Sequence, residues 1–119
     1  MLMINLKYYL LILFFISWQI HAQTIRQKSE NELVVSFISI GSGIDYKATE
    51  QLSIFTKDFQ HKHHVQLDVA LKNWGREGET DYTYTLKKLS KKQRTLFVDK
   101  IEALFANNNR VKIIHQSEN

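Results

Sequence analysis

The chain has no cysteine, no proline and only four glycines in 119 residues. Without cysteine there can be no disulfide staple, no thiol redox chemistry and no thiolate metal site. A lipid-bearing cysteine behind an export leader is excluded as well. So small a chain must then be held by its apolar core alone, which favours regular, well-paired elements. There is no internal repeat and no low-complexity tract, and 119 residues make one domain at most. Phosphate-binding motifs are also missing. No Gly-Lys-Ser/Thr occurs, and no third glycine follows Gly41 and Gly43 at dinucleotide spacing.

What is present begins with a leader. Lys7 supplies a positive start, Tyr8 to Trp18 is an uncharged and largely apolar run, and Ala22 offers a small residue before Gln23. Residues 1–22 therefore read as a secretory signal peptide, and a periplasmic or secreted location is expected. The alternative is an uncleaved membrane anchor, although the apolar run falls short of the ~20 residues that span a bilayer comfortably. If Lys7 leaves with the leader, 15 basic side chains remain against 12 acidic ones, a net +3. That balance permits contact with an anionic surface without demanding it.

Residues 23–31 are polar and read as a tether. A strand is expected over 32–40, where Leu33, Val35 and Phe37 alternate with Val34, Ile38 and Ile40. Apolar residues on both faces mark a central strand. Ile44, Ala48, Leu52, Phe55 and Phe59 form one helical stripe, giving a helix over 44–60. Ser42 and Asp45 fit a capping pattern at its start. Residues 65–74 alternate as a half-exposed strand, 73–79 read as a hairpin loop, and 80–86 as the returning strand. A second helix is expected over 91–106, with Ser90 and Gln93 as a capping box and Phe97, Ile101, Leu104 and Phe105 facing inward. A last strand covers 110–115, and 116–119 is a tail. The order β-α-β-β-α-β, with right-handed crossovers, predicts an α+β ferredoxin-like sandwich over residues 32–115: a four-stranded antiparallel sheet with both helices on one face. Strands one and three should be central, strands two and four edges.

That topology gathers the loops after strand one, strand two and helix two at one end. Gly41, Ser42, Gly43 and Asp45 would meet Trp74, Arg76, Glu77 and Glu79 there. Free N–H groups at a glycine turn before a helix can hold an anion. Arg76 can fork onto a carboxylate or phosphate, and Trp74 can stack on a partner. The plainer reading is internal: Arg76 paired with Glu77, Glu79 or Asp45, and Trp74 covering the core. Glu77, Glu79 and Asp81 do not complete a calcium loop, and no nucleophile is marked beside them. At the opposite end His61, His63 and His64 suit zinc, copper or nickel, beside a basic patch of Lys87, Lys88, Lys91, Lys92 and Arg94. The plainer reading of these histidines is cations at a helix C-terminus. Tyr82 and Tyr84 are expected in or over the core, since the glycine-aromatic signature of RNA-recognition modules is absent. The chain also lacks the Cys-x-x-Cys of heavy-metal domains. An acylphosphatase's arginine after the first-loop glycines is missing too, Lys47 being the nearest base.

Two segments, residues 38–45 (ISIGSGID) and 74–82 (WGREGETDY), resemble a family of small, uncharacterised exported proteins of Bacteroidetes-type bacteria. The resemblance implies an envelope or secreted location and carries no activity and no catalytic residues. The expectation is thus an exported, non-catalytic binding module without cofactor. Its partner would be an envelope protein or an anionic envelope component and not a nucleic acid, with membrane contact only through an uncleaved leader. Transition-metal binding through the histidines is the alternative. Intact-mass analysis of the exported protein should place its N-terminus at Gln23; retention of residues 1–22 would favour the anchor.

Overall fold

The computed structural model describes residues 31–116. The expected leader, the expected tether up to residue 30 and the tail from 117 lie outside the described residues. Six elements follow one another: β1 (Glu32–Phe37), α1 (Tyr46–His63), β2 (Asp68–Asn73), β3 (Thr80–Thr85), α2 (Lys91–Phe105) and β4 (Val111–Gln116). The sheet order is β2-β3-β1-β4, with every neighbouring pair antiparallel. This is the ferredoxin-like βαββαβ arrangement, with β1 and β3 central as the sequence predicts. Among the described residues no helix is long and apolar enough to cross a membrane.

The core lies between the helices and one face of the sheet. Leu33, Val35 and Phe37 of β1 are each fully buried there, against Ala48, Leu52 and Phe59 of α1 and Phe97, Ile101 and Phe105 of α2. Phe97 sits at the centre, its ring 5.0 Å from Phe59, 5.1 Å from Tyr84 and 5.5 Å from Phe55. Tyr84 is buried on this same face. Thr56 donates its hydroxyl proton to Leu52 O, so the Tyr84 hydroxyl donates to Thr56 Oγ1, 2.8 Å away. That bond satisfies the one polar atom Tyr84 brings into the core. Burial pushes the Tyr84 phenol up to about 12, so it remains a neutral donor across the physiological range.

Four boundaries differ from expectation by more than one residue, each for a local reason. β1 stops at Phe37, because its partners Thr80 and Val111 are the last residues of their own ladders. One further bond, Ile38 N to Arg110 O, extends the pairing, and Ile40 is left 48% exposed. α1 starts at Tyr46, with Asp45 rather than Ser42 as its N-cap: the Asp45 carboxylate accepts from Ala48 N at 3.1 Å. Gly41 (φ 93°) and Gly43 (φ 87°) hold a left-handed backbone that cannot belong to the helix. At the other end α1 continues to His63, and His64 takes the left-handed cap at φ 51°. The chain then turns, with Gln60 Oε1 accepting from Leu67 N, so β2 begins only at Asp68. Elsewhere the expected Ser90–Gln93 capping box is present in both directions.

Removing Phe97 would leave a cavity among the rings of Phe55, Phe59 and Tyr84. Phe97→Ala should destabilise the fold by about 3–5 kcal/mol, seen as a lowered urea midpoint at unchanged slope.

Candidate functional site

The loop end forms as the topology predicts. The turn after β1, the β2–β3 hairpin and the α2–β4 connection meet there. Their contacts are chiefly internal hydrogen bonds. Glu77 Oε2 reaches back from the hairpin to accept from Ser39 Oγ at 2.6 Å and Gly43 N at 3.4 Å. Gly43 N also donates to Ser39 Oγ. The glycine turn therefore holds an anion, and that anion is the chain's own carboxylate. The Ser39 hydroxyl, and then the Gly43 amide, lower the Glu77 carboxyl below the usual carboxylate range.

A second link joins the first turn to the last. Asp45 caps α1 with one oxygen, and its other oxygen accepts from Asn108 Nδ2 at 3.0 Å. The Ala48 amide, followed by the Asn108 side chain, lowers the Asp45 carboxyl. Asn108 in turn accepts from Arg110 N through Oδ1. Asp45, Leu104, Asn108 and Arg110 line a shallow polar depression of about 460 Å³. Both carboxylates are thus stabilised as anions by donors, which makes them weaker bases. Acid–base catalysis near neutrality needs the opposite shift.

The hairpin braces itself. The Glu79 carboxylate folds across Gly75, where a Cβ would collide with it, and accepts from Glu77 N at 2.9 Å. Thr80 Oγ1 bonds Asn73 Oδ1 and Gly78 O from a buried position. Gly78 packs on the Tyr46 hydroxyl, 3.1 Å from where a Cβ would stand. Trp74 does not cover the core. Its indole N–H donates to Asp81 Oδ1 at 2.9 Å, on the sheet face away from the helices. Ser36 Oγ donates to the same oxygen, and Trp74 remains 51% exposed. Arg76 is exposed and makes no ion pair among the described residues, so the expected pairing with Glu77, Glu79 or Asp45 does not form. Ser42 is exposed in the glycine turn.

The three histidines do not converge. His61 and His64 are exposed, and His64 serves as the helix cap. His63 folds onto Phe59 with ring centroids 4.3 Å apart, in the groove between the helices lined also by Phe55, Lys100 and Leu104. Among the described residues no group of three or more His, Cys, Asp or Glu side chains is placed to hold a metal ion. In the basic patch, Lys88 pairs with Asp68 at 3.1 Å across exposed surface.

Sequence reasoning brought the loop after helix two, with Asn108 and Arg110, to this end but gave those residues no role, and it gave none to Ser39 or Tyr46. The run Asn107-Asn108-Asn109 was legible as a helix stop, and asparagine's second capacity, as a side-chain donor, was the available signal. No protein-family model, curated protein or solved structure matches the chain.

The Asp45 bonds make stability pH-dependent. Its folded pKa is depressed, so its contribution is present above the unfolded value, near 3.8, and is lost as pH falls through the folded one. Asp45→Asn keeps a cap acceptor without the charge. In urea melts the wild type should be more stable than Asp45→Asn at pH 6, and the difference should shrink steadily below pH ~4.

Proposed function

We propose that this protein is an exported, non-catalytic binding module that engages an envelope protein or an anionic envelope component through its loop end. One observation carries the reading. The loop end satisfies its acidic and backbone groups internally, yet leaves large side chains outward on a braced frame. Arg76 has no ion pair among the described residues, while Tyr46, Trp74 and Ile40 are 69%, 51% and 48% exposed. Arginine, tyrosine and tryptophan are the residues that most often anchor protein–protein contacts. A frame held by Glu77–Ser39 and Asp45–Asn108 loses little conformational entropy when a partner docks. Arg76 supplies a fork for a carboxylate or phosphate, and the aromatic side chains supply area.

The test compares wild type with the double variant Trp74→Ala, Arg76→Ala in crosslinking pull-downs from envelope extract. Wild type should recover one or more partners that the variant loses, with both proteins equally folded by circular dichroism. Identical recovery by the two, or none by either, would end the loop-end reading.

A further inference from the structure

The free edge of β2 carries a set of complementary groups, of which Asp68 also pairs with Lys88 through one carboxylate oxygen on exposed surface. Trp74 N bonds Glu79 O, and the β2–β3 register places Lys72 opposite Asp81, Ala70 opposite Thr83 and Asp68 opposite Thr85. Antiparallel ladders alternate, so residues 68, 70 and 72 turn their main-chain groups toward β3. Val69, Leu71 and Asn73 turn theirs outward. Among the described residues no strand pairs on that side. Leu71 lies on the helix-facing side of the sheet, as its partner Tyr82 does, yet it is 62% exposed because it stands beyond the helices. Lys72 makes no ion pair among the described residues.

We propose that β2 pairs antiparallel with β2 of a second copy of this chain, about a two-fold axis through Ala70. The register follows from two constraints. Outward-facing residues must meet outward-facing residues, so that N–H and C=O groups can exchange bonds. Opposite charges must also meet, because like charges directly opposite are destabilising. Centring on Ala70 sets Val69 opposite Leu71 of the second copy in a hydrogen-bonded pair, and it sets Asp68 opposite Lys72 of the second copy. The two-fold repeats both pairs, since an isologous interface uses each contact twice. Ala70 meets itself in a close, non-hydrogen-bonded pair, where a small side chain fits. Moving the axis to Val69 or Leu71 breaks the Asp68–Lys72 match. β4, the other edge, has no acidic residue in Val111–Gln116 with which to neutralise Lys112. The occupant is therefore a second copy at β2, giving one sheet continuous across both molecules and covering Leu71.

The protein is expressed from its full-length sequence and purified, and its mass is followed by sedimentation across a concentration series. Wild type should show a reversible monomer–dimer equilibrium. Asp68→Lys and Lys72→Glu each set like charges opposite one another twice and should raise the dimer Kd roughly tenfold or more. An equimolar mixture of the two variants restores opposite charges at both pairs and should recover wild-type dimerisation. Since the chain has no cysteine, Ala70→Cys supplies a single thiol on the axis. It should form a covalent dimer under mild oxidation far faster than Lys112→Cys on the opposite edge. A wild type that stays monomeric at its highest soluble concentration would overturn the proposal. So would failure of the two charge variants to complement, or equal crosslinking by the two cysteine variants.

Discussion

The burial of Leu33, Val35 and Phe37 on one face of β1 is the constraint on which the rest of the structure depends. With no disulfide available, the free energy that orders the chain must come mainly from apolar burial. β1 lies between β3 and β4 and under both helices, so its three side chains touch both layers of the core. Its opposite face is buried as well at Val34 and Ser36, because strands flank it on both sides. The ring cluster around Phe97 completes the enclosure, and Tyr84 enters it only because Thr56 accepts its hydroxyl. Wherever the ladders of β1 end, the loops begin, and the positions of the loop end follow from that.

At the loop end the chain resolves its own electrostatic demands. A glycine turn with exposed amides attracts an anion, and the hairpin delivers Glu77 to it. A helix start carries unsatisfied amides, and Asp45 takes one while holding Asn108 from the far connection. Once these groups are paired among themselves, the sites best suited to bind a foreign anion are already filled. What remains outward is Arg76 with Tyr46, Trp74 and Ile40, which suits recognition by surface contact. The donors around the carboxylates nearest the cluster, Asp45 and Glu77, hold them below the usual carboxylate range.

Much of this was legible in the residues. The alternation in β1, the apolar stripe from Ile44 to Phe59 and the Ser90–Gln93 box all depend on neighbours within a few positions, and each reads correctly from local spacing. The cap at Asp45 was misassigned to Ser42, because two glycines with positive φ separate the pattern from the helix it seemed to begin. Trp74 and Arg76 were harder. Their partners are set by which strand lies alongside: Asp81 stands opposite Lys72 in the β3 register, within reach of the indole, while among the described residues no acid pairs with Arg76.

By itself the sequence determined the order of elements, the central place of β1 and the gathering of three loops at one end. These follow from hydrophobic periodicity and from the few chain crossings that βαβ units allow. Only the tertiary structure decided that Glu77 would fill the glycine turn, that Trp74 would lie on the open face of the sheet, and that the histidines would part. The physical reason is distance along the chain. A hydrogen bond such as Glu77–Ser39, 38 residues apart, leaves no local signature, because its energy appears only when two separate turns are brought together by the core.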